Sequence, residues 1–342
     1  MAKNIAVFLD GTWDTYKEGV SNNSNVGKMY EAAINDGQQQ VTHYTRGVGT
    51  DWYDKIRGGG FGVGVNDRIR DAYRFLTDQY DAGDAIFIFG FSRGAYEARS
   101  LAGMVGRVGL LDRTRFAATN REDMYNIVFN NYTRPKDAAN NQLVANFKAT
   151  NAVDVPIKMV GVWDTVGALG VPLFATTLTL FVPKFHDLDL GPRVENAYHA
   201  MSLDEQRFDF APTYWNPASV RPGQTLEQVY FAGVHSDIGG GYDDDHSLSD
   251  ISLCWMAERA KKHGLLLKPG SVACADDAPY GRLHDSFGPL FESRGRFHRP
   301  VDPGMTIHKS VQLRWTDTQG RSKPGAYAPV NLTKGTDYNF ID

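Results

Sequence analysis

The pentapeptide Gly90-Phe91-Ser92-Arg93-Gly94 contains the residues whose types and spacing point most directly to chemistry. A serine hydroxyl becomes a nucleophile when a base removes its proton and when its Oγ stands clear of the surrounding backbone. A sharp strand-to-helix turn gives that exposure, and small residues two positions before and after the serine make the turn sterically feasible. Gly90 and Gly94 occupy those positions. The pattern predicts Ser92 as the nucleophile of a serine hydrolase, the alternative being a tight turn with an exposed serine.

Both flanks of Ser92 have the periodicity that such a turn requires. Residues 85–89 (AIFIF) form a compact apolar run, which is typical of a buried strand. After Ser92, apolar residues recur at helical intervals as far as Val108, which predicts a long amphipathic helix. We therefore expect Ser92 to lie at the carboxyl end of a strand.

An acid that orients the base is expected after Ser92, because α/β-hydrolases place nucleophile, acid and histidine in that order along the chain. Asp164 directly follows the apolar strand predicted at 157–163, so its carboxylate would project from the carboxyl end of that strand. We predict Asp164 as the acid. The structural alternative is an Asx turn or a helix cap. Asp154 precedes the same strand and lies at the wrong end of it.

Two histidines are candidates for the base, since imidazole is the side chain whose ordinary pKa suits proton transfer near neutrality. His235 follows the strand predicted at 228–234 and precedes the glycine-rich stretch 236–242, which could hold an imidazole over the turn at Ser92. His284 lies in a later loop, and a late loop histidine is also frequent in this fold. We predict His235 as the base and His284 as the alternative.

The tetrahedral intermediate of acyl transfer needs backbone N–H donors at its negative oxygen. One donor comes from the residue after the nucleophile, which is Arg93 here. The loop after the strand predicted at 5–9 is the natural source of the second donor, and Gly11 and Thr12 are equal candidates.

The order of elements predicts an α/β fold with a mostly parallel central sheet covered by helices on both faces. Further helices are expected at 66–80, 121–131 and 248–263. We expect one α/β-hydrolase domain spanning residues 1–342, with an irregular segment from about 296. The apolar residues 171–185 suggest a lid or flap around 170–186, a membrane contact, or a core element.

Net charge and the lack of certain motifs argue against several kinds of partner and cofactor. A net charge of −4 disfavours nucleic acid as a partner. No motif predicts a metal site or a cofactor, and we expect neither. The N-terminus lacks a signal peptide pattern, so we expect cytoplasmic synthesis. Cys254 and Cys274 lack metal-ligand spacing and are expected to be reduced thiols.

Five motifs in this order resemble the bacterial and fungal α/β-hydrolase domain family that includes the Tle-type phospholipase effectors of type VI secretion. They are residues 8–13 (FLDGTW), 90–96 (GFSRGAY), 162–167 (VWDTVG), 203–205 (LDE) and 233–242 (GVHSDIGGGY). The resemblance implies hydrolysis of phospholipids or other esters by Ser92, Asp164 and His235 without a metal. It also implies contact with a lipid or small-ester substrate and a membrane, export by type VI secretion, and an immunity protein as partner. A thioesterase, a soluble-ester or amide hydrolase, and an idle binding scaffold are the competing functions.

Overall fold

The computed structural model describes residues 2–11, 16–20, 22–47, 61–116, 121–166, 188–288, 291, 295–302 and 304–342, with the backbone alone for 61–64. Thr12 and the lid or flap predicted around 170–186 lie outside these residues. Within the described chain, no helix is both long and apolar enough to cross a membrane.

Ten strands are assigned in the described residues. Their bounds are β1 Asn4–Leu9, β2 Gln40–Thr45, β3 Ala85–Phe91, β4 Leu110–Leu111, β5 Ala152–Val153, β6 Met159–Trp163, β7 Asn196–Ser202, β8 Thr225–Phe231, β9 Thr306–His308 and β10 Asn339–Ile341. A central sheet contains eight of them in the order β10-β9-β8-β7-β6-β3-β1-β2, and its neighbouring strands all pair in parallel. The remaining two, β4 and β5, form a short antiparallel pair.

Helices cover both faces of the sheet. Their bounds are α1 Asn25–Ala32, α2 Phe61–Gln79, α3 Arg93–Val108, α4 Arg121–Thr133, α5 Ala138–Asn151, α6 His235–Gly239, α7 Ser247–Lys262 and α8 Lys309–Trp315. One hydrophobic core joins the sheet to α2, α3, α4 and α5, and a second joins it to α1 and α7. The predicted α/β class, a mostly parallel sheet with helices on both faces, is confirmed.

The strand register brings the predicted site residues to one edge of the sheet. Leu9 pairs with Gly90, and Phe91 pairs with Trp163, so β1, β3 and β6 end at nearly the same level. The register continues into β7, where Trp163 pairs with Ala200. The loops that follow these strands therefore open on the same side of the molecule, where parallel sheets bind ligands.

The prediction of an irregular segment from about residue 296 is wrong in part. Residues 306–308 and 339–341 form β9 and β10, which extend the sheet beyond β8, and residues 309–315 form α8 between them. Strands of three residues are too short for an alternating pattern to reveal them. Their position is set instead by a small third core around Ile307 and Val311.

The expectation of reduced thiols is also wrong, because Cys254 and Cys274 form a disulfide. Cys254 lies in α7, and the chain reverses after that helix at Gly264, where φ is +98°. The reversal carries the loop back along α7 and brings the two Cα atoms to 6.2 Å. A separation of 20 residues in sequence does not reveal this proximity.

The glycines around Ser92 are required by close backbone contacts between β1, β3 and α3. A Cβ added at Gly94 would lie 2.0 Å from the carbonyl oxygen of Leu9, and one added at Gly90 would lie 2.3 Å from the carbonyl oxygen of Gly94. Backbone atoms cannot move aside as a flexible side chain can. The sharp turn at Ser92 therefore depends on both glycines.

We expect Gly94→Ala to lower the free energy of unfolding by about 3 kcal/mol, because the new methyl group would collide with the β1 backbone. Gly103→Ala is the matched control in the same helix, since its Cβ would meet only the Tyr132 side chain, at 3.6 Å or more. That control should raise the unfolding free energy by about 0.5 kcal/mol, as alanine does in a helix. Urea unfolding followed by circular dichroism measures both, and equal effects would contradict the assigned contact.

Candidate active site

Ser92 occupies a strained turn between β3 and α3. Its φ and ψ are 57° and −118°, and its N–H donates to the carbonyl oxygen of Trp163 at 3.0 Å. A non-glycine residue in such a conformation costs about 1–3 kcal/mol and persists only where its surroundings enforce it. Of the non-glycine residues that the structure describes, only Ser92 and Asp164 have a positive φ. The backbone strain therefore coincides with two of the predicted site residues.

Asp164 is a fully buried carboxylate that accepts four hydrogen bonds. Oδ2 accepts from His235 Nδ1 at 2.5 Å and from Arg299 Nη2 at 2.9 Å. Oδ1 accepts from Arg299 Nη1 at 2.6 Å and from the Ser202 N–H at 2.9 Å. Burial raises the pKa of Asp164, but the charge of Arg299 and the bond from His235 outweigh it and hold the pKa well below its ordinary value. The group is an anion at neutral pH.

His235 begins α6, four residues after the last residue of β8, and its ring lies between aromatic side chains. The rings of Phe91 and Phe210 lie 4.7 and 4.9 Å from the imidazole, centroid to centroid. The backbone N–H of His235 donates to Glu205 Oε2 at 3.2 Å. Burial lowers the pKa of His235, and Asp164 opposes this only in part. A neutral ring that donates from Nδ1 to Asp164 keeps the lone pair on Nε2, as a general base requires.

The contact between base and nucleophile is not made in this arrangement. The Ser92 hydroxyl forms no hydrogen bond with a described residue, His235 included. The Phe91 ring next to His235 nevertheless belongs to the residue that precedes Ser92, so the imidazole lies beside the turn. Hydrogen bonds of this kind often shorten only when substrate binds.

His284, the alternative base, is held between carboxylates other than Asp164. Its Nδ1 lies 2.5 Å from Asp237 Oδ1 and its Nε2 lies 2.9 Å from Asp244 Oδ1. The ring stacks on Tyr242 with centroids 3.7 Å apart. Burial lowers the pKa of His284, but the bonds and charges of Asp237 and Asp244 outweigh it and raise the pKa above its ordinary value. Both nitrogens of the ring therefore face carboxylates.

The predicted oxyanion donors differ in their surroundings. The N–H of Gly11 donates to the buried carboxylate of Asp10 at 2.8 Å, so this donor is already used. The same carboxylate also accepts from Ser24 and Tyr44, which fixes the loop after β1. Arg93 begins α3, so its N–H belongs to the first turn of a helix. Thr12 lies outside the described residues.

Sequence reasoning missed Arg299, which is fully buried and binds both oxygens of Asp164. No periodicity or spacing points to this residue, which is 135 positions from Asp164 in the chain. It also missed the role of Glu205, whose carboxylate accepts from the backbone of His235 and from Arg207. Glu205 falls in the motif of residues 203–205, which was the available signal.

Most of the chain matches a known protein family. Residues 3–259 match the family model described as "T6SS, Phospholipase effector Tle1-like, catalytic domain". The chain belongs to this family. The match includes β1 to β8 with Ser92, Asp164 and His235, and it ends before Arg299. The Tle1-like family is one of phospholipase effectors of type VI secretion.

Two individual proteins are similar to this Tle1-like chain over part of their length. The uncharacterized protein YEL023C of Saccharomyces cerevisiae is 29% identical over 248 residues, which cover 64% of this chain and 34% of that protein. The crystal structure of an uncharacterized protein from Pseudomonas aeruginosa matches with a TM-score of 0.45 and 20% identity, covering 81% of this chain and 48% of that one. This chain thus spans about a third of the first relative and about half of the second.

We expect the contribution of His284 to stability to depend on pH. Its pKa is raised in the folded state, so its contribution is complete below the ordinary value of about 6.5 and is lost as pH rises through the folded pKa. The difference in Tm between the wild type and His284→Gln should be largest near pH 5.5 and should shrink at higher pH. The exposed His246, paired with Asp250, provides the control His246→Gln. Thermal unfolding across this pH range measures the differences in Tm. A difference between the wild type and His284→Gln that does not change with pH would contradict the ion-pair assignment.

Proposed function

We propose that this chain hydrolyses carboxylic esters of phospholipids, with Ser92 as nucleophile, His235 as general base and Asp164 as the acid that orients the base. The proposal depends above all on the 2.5 Å contact between His235 Nδ1 and Asp164 Oδ2 beside the strained turn of Ser92. The order Ser92, Asp164, His235 along the chain is the order of α/β-hydrolases. His284 fits the role of base less well, because both its nitrogens face other carboxylates.

The reaction follows from the tautomer of His235. Nε2 takes the hydroxyl proton of Ser92 as Oγ attacks the ester carbonyl carbon, and the imidazolium that forms is stabilised by Asp164. The tetrahedral intermediate then collapses, its carbon–oxygen bond to the leaving alcohol breaks, and that alcohol takes the proton from Nε2. Water attacks the acyl-enzyme by the same route in reverse, releasing the fatty acid and restoring Ser92.

Stabilisation of the oxyanion is assigned to backbone donors. The N–H of Arg93 follows the nucleophile and lies at the start of α3, where the helix dipole favours negative charge. Because the Gly11 N–H is used by Asp10, we assign the second donor to Thr12.

The choice of phospholipid rests on the family description. Export by type VI secretion and recognition by an immunity protein are extensions of the same proposal. A lipidomic digest comparing wild type with Ser92→Ala identifies the substrate, since only the wild type should release fatty acid and lysophospholipid. Release of acyl groups from thioesters or soluble esters alone would replace the lipid substrate and keep the mechanism.

Labelling by a fluorophosphonate probe tests the nucleophile. The wild type should label at Ser92, and Ser92→Ala should not label, because the probe reacts with an activated serine. Ser100→Ala is the matched control, since Ser100 is a buried serine of the helix that follows Ser92, and it should label as the wild type does. A wild type that stays unlabelled, or equal labelling of Ser92→Ala, would contradict the proposal.

The pH profile of ester hydrolysis tests the base. Burial lowers the pKa of His235, so the neutral, active form of the ring persists into acid. The midpoint of the acid limb of kcat/KM should therefore lie below about pH 6.5. His235→Ala should lower the rate of p-nitrophenyl ester hydrolysis by several orders of magnitude, as loss of a triad member does. His246 is exposed, so His246→Ala should retain the wild-type rate of ester hydrolysis. Near-wild-type rates for His235→Ala would assign the base to another histidine.

A further inference from the structure

Arg299 lies beside the proposed acid but belongs to the part of the chain that follows the family match. Its side chain is fully buried. The family match ends at residue 259, before Arg299. Its backbone carbonyl accepts from Asn331 Nδ2 at 3.1 Å, and the same amide donates to Leu203 O at 2.7 Å. The final segment of the chain thus fixes Arg299 against the end of β7.

The guanidinium binds three parts of the site at once. Nη1 donates to Asp164 Oδ1 at 2.6 Å and to the carbonyl oxygen of Ser202 at 2.8 Å. Nη2 donates to Asp164 Oδ2 at 2.9 Å and to the carbonyl oxygen of Phe210 at 2.7 Å. A planar fork that binds both oxygens of a carboxylate fixes its orientation as well as its distance.

This orientation determines which oxygen His235 meets. With Oδ1 bound by Arg299 and by the Ser202 N–H, Oδ2 is the oxygen that faces Nδ1 of His235. The bond to Phe210 acts on the same imidazole, because the Phe210 ring packs against His235. Arg299 therefore binds two neighbours of the base, Asp164 and Phe210, without a hydrogen bond to the base itself.

Arg299 affects the charge around His235 through Asp164. Asp164 and Glu205 favour the imidazolium, while Arg207 opposes it, and Arg299 offsets the charge of Asp164. The remaining groups around Asp164 are uncharged near neutral pH. Burial lowers the pKa of His199 to about 3, and it raises the pKa values of Tyr214 and Tyr230.

We propose that Arg299 is a positioning residue: its fork holds Asp164 in the orientation that aligns His235, and its charge keeps His235 neutral in mild acid. The inference rests on the proposed function, since it concerns the same acid and base. It assigns part of the working site to residues beyond the family match.

Two substitutions separate charge from geometry. Arg299→Gln removes the charge, so the imidazolium becomes easier to form, and the acid limb of kcat/KM should move up by about one pH unit. Its kcat should fall on the order of 100-fold at unchanged KM, because the base is misaligned. Arg299→Lys keeps the positive charge but removes the planar guanidinium that binds both oxygens of Asp164. The acid limb of kcat/KM should therefore stay in place while kcat falls about tenfold.

Arg314 is the matched control, because it is a buried arginine of the same segment that donates to the carbonyl oxygens of Pro279 and Gly281. Arg314→Gln and Arg314→Lys should lower Tm. The acid limb of kcat/KM and the value of kcat should nevertheless match those of the wild type in both variants. An unmoved limb in folded Arg299→Gln, or an equal shift in Arg314→Gln, would overturn the proposal. If Arg299→Gln does not fold, Arg299→Lys decides, and a kcat within twofold of wild type overturns it.

Fluorophosphonate labelling distinguishes this result from failure of the proposed function. A wild type that labels at Ser92 while the Arg299 variants retain the wild-type pH profile and kcat would overturn the positioning role alone. A wild type that neither labels nor hydrolyses esters would remove both proposals. Labelling of Arg299→Lys at a reduced rate, with Tm close to that of Arg314→Lys, supports the positioning role.

Discussion

A carboxylate without access to water must obtain from the protein the hydrogen bonds and the opposite charge that water would supply. Asp164 obtains them from three separate parts of the chain: the fork of Arg299, the backbone of Ser202 and the ring of His235. Each donor is in turn fixed by its own element or loop. The positive φ of Asp164 is one result, because the backbone must turn sharply for the carboxylate to reach all of them. Satisfying this single buried charge thus joins β6, β7, α6 and the end of the chain.

The candidate site could be predicted to the extent that it follows from strand ends. Ser92 follows β3, and Asp164 follows β6 directly, so a buried apolar run and the next polar residue were sufficient to find them. His235 was found although its strand was placed three residues too late, because the turn after β8 still ends at that position. Arg299 could not be found in this way. It comes from an extended segment without periodicity, and only the folded chain brings it to Asp164.

The fold was predictable in class and less so in detail. Strands β1, β3 and β6 are continuous apolar runs, which indicate burial on both faces. The buried strand β7 has the sequence NAYHAMS, in which asparagine, histidine and serine conceal its burial. These polar groups have partners: His199 Nε2 accepts from the Thr165 N–H, and Ser202 Oγ donates to the carbonyl oxygen of Gly233. Hydropathy cannot detect a buried strand whose polar side chains form hydrogen bonds with neighbouring loops.

The position of Arg299 near the end of the chain also orders the assembly of the site in time. A ribosome makes Ser92, Asp164 and His235 well before it makes Arg299 and the strands β9 and β10. Until then, enclosing Asp164 would leave its charge without the guanidinium, and an unpaired buried charge opposes a compact state. Enclosing Asp164 with its charge paired therefore requires the segment that contains Arg299, which the ribosome makes after the other three residues.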